Sequence, residues 1–299
     1  MKLSIGPIQY YWERQQVLDF YQVVAGGNAD IVYLGEVICS KRRLIKLQDW
    51  LAIGKELSQA GKQVVLSSLT LLEAASETSS LRKLCAEQNY MIEANDISAV
   101  QLLSKSGRPF VTGPSVNIYN ERSLKLLAEK GLKRWVLPVE LGLKTLKDMQ
   151  DKRPKDIETE VFAFGRLPLA YSARCYTARS HNLAKDDCQF KCLDYPDGRL
   201  LRTSEDQDFL VLNGIQTQSA LTHHVLGQIP ELKKLGVDVL RISPQSAHTG
   251  RIIEIFDAAR NEGELKMLEE ELLGLLPVGA CNGYLLEQAG MNDARADTL

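Results

Sequence analysis

Apolar residues in this chain fall into short buried runs separated by stretches with helical spacing. Leu3–Ile8 reads as a strand, stopped near Gly6 and Pro7, and Glu13–Val24 as a helix with Val17, Phe20, Tyr21 and Val24 on one face. The alternation continues with a strand at Ile31–Leu34. A helix marked by Leu44, Leu47, Leu51 and Leu57 follows and closes at Gly61. Strands are then predicted at Val64–Ser67, Met91–Glu93, Phe110–Thr112, Trp135–Leu137 and Val161–Phe164, the last punctuated by Gly165. Helices between them are predicted at Glu77–Gln88, Ile97–Leu103, Ser123–Lys130 and Leu141–Met149. Further on come a short extra strand at Phe209–Leu212, a helix over Val225–Leu235 broken at Pro230, and an eighth strand at Val237–Ile242. The helix Ile252–Arg260 comes next.

Strand and helix thus alternate, the strands are apolar on both faces, and no hairpin signal is read. That pattern calls for a parallel sheet with helical crossovers. Eight such units closing on themselves give a (β/α)8 TIM-like barrel, an α/β fold; an open doubly wound sheet is the alternative. The expectation is a single barrel domain over residues 1–299, with no interdomain linker. The charged stretch Lys152–Asp156 is read as a surface connection. An insertion at 176–208 follows strand seven, and an extension at 264–299 holds a helix at Leu265–Leu276 and a polar tail.

In a barrel, working residues sit in the loops after the strands. Here those residues are Glu36, Cys39, Glu93, Asn117, Glu140, Gly165, Arg241 and Ser243. Glu36, Glu93 and Glu140 are candidate acid–base groups, with a salt bridge or a helix cap as the structural reading of each. Cys39 follows strand two and Cys175 follows strand seven, so a barrel would project both from one end.

Composition bears on class rather than on fold. A net charge of -2 and a pI near 6.2 argue against a general nucleic-acid binder. The start, M-K-L-S-I-G-P-I-Q-Y-Y-W, has no long apolar core, and no apolar run reaches the roughly eighteen residues of a membrane span. The expectation is a cytoplasmic chain, in which cysteines point to metal or catalysis rather than to disulfides.

Three of the six cysteines cluster as C-x12-C-x3-C, at Cys175, Cys188 and Cys192. The segment D-D-C-Q-F-K-C-L-D is too polar for a core. With Cys39 these make four soft ligands, suited to an iron–sulfur cluster or an all-cysteine zinc site. Structural zinc usually takes two short C-x2-4-C knuckles, and this spacing is looser. It favours the cluster and leaves a zinc-stabilised scaffold open. Cys85, beside Leu81 and Leu84, reads as packing; Cys281, in V-G-A-C-N-G-Y, reads as packing or a substitute ligand. Lys41, Arg42, Arg43, Arg174 and Arg179 flank the cysteines and could offset a cluster's negative charge or hold a carboxylate. His181, His223, His224 and His248 lack metal-ligand spacing and read as surface or loop residues. No G-x-S-x-G, Walker or dinucleotide motif occurs.

The run from Glu160 through Gly165 to Cys175 resembles the signature of the collagenase-like peptidase family U-32, departing from it at Arg166, Pro168 and Ala173. Four segments are similar to the branch of that family that serves oxygen-independent ubiquinone biosynthesis. They are Y-L-G-E-V-I-C-S-K-R-R-L at 33–44, L-P-L-A-Y-S-A-R-C-Y-T-A-R-S at 167–180, V-L-N-G-I-Q-T at 211–217 and C-N-G-Y at 281–284. The resemblance implies a 4Fe-4S cluster on Cys39, Cys175, Cys188 and Cys192. It also implies a heterodimer with the sister protein UbiU, a lipid-binding accessory protein UbiT and a quinone-precursor substrate. Other members hydroxylate RNA bases, with prephenate implicated as hydroxyl donor, which makes prephenate a candidate partner here. The peptidase name finds no nucleophile–base pair or catalytic zinc motif in this sequence.

Overall fold

The computed structural model describes residues 1–294. In chain order the first half runs β1 (Lys2–Ile5), α1 (Arg14–Gly26), β2 (Ile31–Leu34), α2 (Leu47–Gln59), β3 (Gln63–Ser67), α3 (Ala75–Cys85), β4 (Met91–Ala94) and α4 (Ile97–Lys105). It continues with β5 (Phe110–Thr112), α5 (Glu121–Glu129), β6 (Leu132–Val136), α6 (Leu143–Lys152) and β7 (Glu158–Tyr171). The second half holds α7 (Tyr176–Arg179), β8 (Arg199–Arg202), β9 (Asp208–Asn213), β10 (Gln216–His224), α8 (Ile229–Lys234), β11 (Val239–Ile242), α9 (Thr249–Arg260), α10 (Leu265–Leu273) and β12 (Ala280–Cys281).

Neighbours from β1 to β7 pair in parallel, and β11 pairs in parallel with both β1 and β7. The sheet therefore closes as the expected eight-stranded (β/α)8 barrel. Strand alternation sorts the core into two compartments. On β2, Val32 and Leu34 pack outward against the helices, while Ile31 and Tyr33 pack inward with Val65, Val111, Val136 and Val239. The helices bury one stripe each: Trp50, Ile53, Gly54 and Leu57 on α2 follow the helical period. Asp96 caps α4 by accepting the Ser98 N–H at 2.7 Å, and Asn120 caps α5 by accepting that of Ser123 at 2.9 Å.

Several expectations need correction. β7 does not stop at Gly165. It runs on to Tyr171, beyond the barrel rim, and that half pairs antiparallel with β10. The reading without hairpins also fails: β8, β9 and β10 form an antiparallel ribbon, and Asn213 pairs with Gln216 across a two-residue loop. Gly214 opens that loop at φ +64°, the left-handed conformation such tight turns require. Pro230 does not break a helix; it sits in the first turn of α8, where its missing N–H costs nothing. The last helix ends at Leu273, and the presumed polar tail includes β12, which pairs in parallel with β10. Residues 295–299 of that tail lie outside the described residues.

Candidate metal centre

The loop after β2 is built by its own side chains. Glu36 Oε1 accepts the backbone N–H groups of Ile38 at 2.9 Å and Cys39 at 3.0 Å, so one carboxylate orders the approach to the first cysteine. The Cys39 carbonyl then accepts the Arg42 N–H at 3.0 Å, closing a turn. Cys175 stands at the N-terminus of α7, where the Ala178 N–H points at its Sγ at 3.4 Å. The hairpin loop fastens this segment: the Gly214 carbonyl accepts the Tyr176 N–H at 2.7 Å, and the Gly214 N–H donates to Thr177 Oγ1 at 2.9 Å. Cys188 and Cys192 lie in two short turns separated by Gln189 and Phe190, both at positive φ. Lys41 ties that stretch back to the first loop, donating to the Lys185 carbonyl at 2.9 Å and to Asp186 at 3.0 Å.

These ties bring Cys39, Cys175, Cys188 and Cys192 to the wall of one small cavity, together with Lys41 and Arg42. All four are free thiols of intermediate exposure. Burial pushes the Cys39 thiol up, opposed by the Lys41 N–H and Arg42 and reinforced by Glu36 and Cys175. Burial also pushes Cys192 up, opposed mainly by Arg42. Arg42 is itself buried. Its Nη1 donates to the Gln9 carbonyl at 2.7 Å and its Nη2 to Asn213 Oδ1 at 2.8 Å, while its buried Nε finds no acceptor in the protein. Among the described residues, no three His, Cys, Asp or Glu side chains are grouped closely enough to hold a metal ion.

The carboxylate candidates part company. Glu36 serves the cysteine loop, and burial raises it against the pull of Arg42 and two N–H groups. Glu140 is exposed and accepts a hydrogen bond from Tyr119. Glu93 lies inside the barrel, where it accepts from Arg241 Nη1 at 2.7 Å and Ser67 Oγ at 2.6 Å. Arg241 Nε donates to Glu160 at 2.8 Å, and its buried Nη2 has no partner at the barrel mouth. Burial alone would raise Glu160; Arg241 and Arg134 outweigh it and hold the carboxyl below its usual range. Glu160, Tyr33 and Arg134 were not singled out from sequence as interior polar groups. The available signal was a charge inside an apolar strand.

Cys281 packs with Phe162 and Leu167, away from the four-cysteine cavity, and burial pushes its thiol up to about 12. Cys85 packs in the helical layer, pushed up to about 11. His223 and His224 are not surface or loop residues: both are buried on β10, a strand the apolar pattern did not reveal.

The family model described as Peptidase family U32 matches residues 18–294. The chain is 28% identical over 135 residues to tRNA hydroxylation protein P1 of Bacillus subtilis (strain 168). That match takes in 42% of this chain and only 30% of the relative. Among solved structures, the U32 peptidase Mk0906 aligns at a TM-score of 0.45 and 10% identity, covering 82% of this chain and 93% of that one. Phospho-2-dehydro-3-deoxyheptonate aldolase of Thermotoga maritima aligns at 0.46 and 12% identity, covering 94% and 71%. No helix among the described residues is long and apolar enough to cross a membrane.

Proposed function

The chain belongs to peptidase family U32, and from that premise we propose that it is an iron–sulfur subunit of an oxygen-independent hydroxylase. Cys39, Cys175, Cys188 and Cys192 would hold a 4Fe-4S cluster. The reaction would place a hydroxyl group on the aromatic ring of a ubiquinone precursor, the role of the ubiquinone biosynthesis protein UbiV. The observation that carries this reading is four thiols, from loops far apart in sequence, on the wall of one cavity.

The donor set supports a cluster over a lone ion. A tetrahedral zinc site needs four sulfurs within about 2.3 Å of one point. In a cubane each thiolate binds a different iron, so the sulfurs stand further apart around a shared body. Four cysteines share one cavity wall, and the loose C-x12-C-x3-C spacing with a remote fourth thiol suits the second arrangement. Arg42 lies against Cys192, so its guanidinium faces the sulfur side of the cavity. Lys41 and Arg42 would offset the negative charge of a four-thiolate centre. When bound, such a cluster supplies one-electron transfer. The protein's own part is to fix the cysteine loops through Glu36, Lys41 and the Gly214 turn.

By the same reading, UbiU is the heterodimeric partner, UbiT is the lipid-binding accessory protein of the same route, and prephenate is the candidate hydroxyl donor. The test is anaerobic purification followed by iron and acid-labile sulfide assay. About four of each per chain is the expected result, and Cys188→Ala should lose them while Cys85→Ala keeps them. Stoichiometric zinc without iron would overturn the cluster in favour of a zinc-stabilised scaffold.

A second reading, RNA-base hydroxylation, is favoured by the match to tRNA hydroxylation protein P1; the net charge of -2 weighs against it. A deletion strain grown without oxygen separates the two. Lost ubiquinone with intact tRNA nucleosides supports the first reading, and the reverse pattern selects the second.

A further inference from the structure

On the far side of Glu36 and Arg42 from the cysteine cavity, a cleft of about 520 Å³ opens between the loop after β2, the start of α2, and α3. Its size falls among small-molecule sites, roughly 300–1,000 Å³. A hollow of about 650 Å³ at the opposite end of the barrel is larger, but its charges are already engaged: Arg260 pairs with both Asp30 and Asp257.

One part of the cleft wall is apolar, built by Ile45, Trp50, Leu69, Leu72, Leu81 and Leu84, and serines, Ser76, Ser79 and Ser80 among them, line the rest. Its charged lining is unbalanced. Arg42, Arg43, Lys46 and Lys83 face only Glu36 and Glu77. Both carboxylates are committed to backbone donors: Glu36 to Ile38 and Cys39, Glu77 to the N–H groups of Glu73 at 2.6 Å and Ala74 at 3.0 Å. Glu77 also accepts from Ser40 Oγ at 2.5 Å and is held below the usual carboxylate range. The exposed Lys46 and Lys83 make no ion pair among the described residues. An apolar wall gives affinity without orientation, and a cationic rim gives the orientation.

We infer that this cleft binds an apolar small molecule carrying an acidic group, its body against Trp50 and the leucines and its acid towards Lys46 and Lys83. The inference stands on the lining of the cleft and does not depend on a cluster. The site is coupled to its surroundings. Ser67 lines it and donates to Glu93 inside the barrel, and Arg42 lines both the cleft and the cysteine cavity.

The experiment is a calorimetric titration of the full chain, as purified, with 2-naphthoate and with neutral 2-naphthamide at low salt. The acid should bind about fivefold tighter than the amide, the scale set by two exposed charge partners. Lys46→Gln with Lys83→Gln should erase that preference and leave amide binding unchanged. Leu72→Trp should fill the cleft and abolish binding of both probes. Equal affinity for the two probes in the wild type, a preference that survives the double lysine variant, or no binding at all would overturn the inference. Should Leu72→Trp fail to fold, the lysine pair still decides, because both side chains are exposed and their loss leaves the core intact.

Discussion

Glu36 accepts the backbone N–H of Cys39 at 3.0 Å through the same oxygen that accepts the Ile38 N–H at 2.9 Å. A single half-buried carboxylate thus sets the backbone of the first cysteine loop. Glu36→Ala strands two donors and should cost about 1–2 kcal/mol in urea unfolding, in the range of a lost helix cap. Glu36→Gln keeps a carbonyl acceptor and should cost less. Iron retention against a chelator should follow the same order. Equal loss of iron in both variants would mean that the carboxylate's charge, rather than its hydrogen bonds, matters to the site.

Inside the barrel, Glu160 accepts from Arg241 at 2.8 Å and from Ser4 and Tyr33 at 2.5 Å, with Arg134 at 3.8 Å. Two guanidinium groups balance two buried carboxylates, Glu93 and Glu160. Glu160→Gln leaves Arg241 and Arg134 short of an anion and should destabilise by about 3–5 kcal/mol, the usual penalty for breaking a buried pair. Because the folded carboxyl is held low, this contribution is present above the unfolded carboxyl's pKa of roughly 4.3 and is lost as pH falls through the folded value. Wild-type stability should therefore decline below that pH, and the variant should decline less steeply. Parallel slopes in acid would remove Glu160 from the account.

Strands whose both faces are covered announce themselves as apolar runs, which is why all eight predicted barrel strands overlap the observed ones. Glu93 and Arg241 are legible as strand-end charges, whereas Glu160 and Arg134 sit beside Glu158 and Lys133, so their inward orientation is hidden until the barrel closes. The antiparallel ribbon was missed for a different reason. β10 reads Q-T-Q-S-A-L-T-H-H, nearly all polar, and yet is mostly buried through side-chain bonds such as Gln216 and Gln218 to Gln9 Oε1, both at 2.9 Å. Hydropathy cannot see that kind of burial. Asn213-Gly214 carries a hairpin signal, but the polar strand after it hides the pairing. The cysteines were legible because three clustered in a polar segment; their neighbours Glu36 and Lys41 acquire roles only once the loops are side by side.

His223 on β10 is fully buried, and burial holds its ring down to about 4 despite a hydrogen bond with the Phe162 backbone. The unfolded chain takes up a proton near pH 6.5, whereas the folded one waits until about 4. Stability from this group is therefore complete above about 6.5 and is lost as pH falls towards 4, by about 3 kcal/mol at most. Urea unfolding at pH 7 and pH 5 should show this loss in the wild type. His223→Phe, which cannot titrate, should flatten the profile between those values. An unchanged slope would show that the ring is already protonated in the folded chain.

Gly214 is the point where the ribbon meets the four-cysteine cavity. It holds φ +64°, and a Cβ built on it would stand 3.0 Å from Arg42 Nη2. Its carbonyl and N–H fasten Tyr176 and Thr177, the two residues after Cys175. A side chain here should act twice. The backbone conformation costs about 1–2 kcal/mol for an ordinary L residue, and the added atom pushes Arg42 away from its place beside Cys192. Gly61 supplies the control: it holds φ +82° with nothing within 4 Å of a new Cβ. Gly61→Ala and Gly214→Ala should therefore lose similar stability in urea, while only Gly214→Ala should lose iron during anaerobic purification. Gly214→Asn, which tolerates positive φ, should recover part of the stability without restoring the iron, because its Cβ still meets Arg42. Full iron in Gly214→Ala would show that this turn does not position the cysteines.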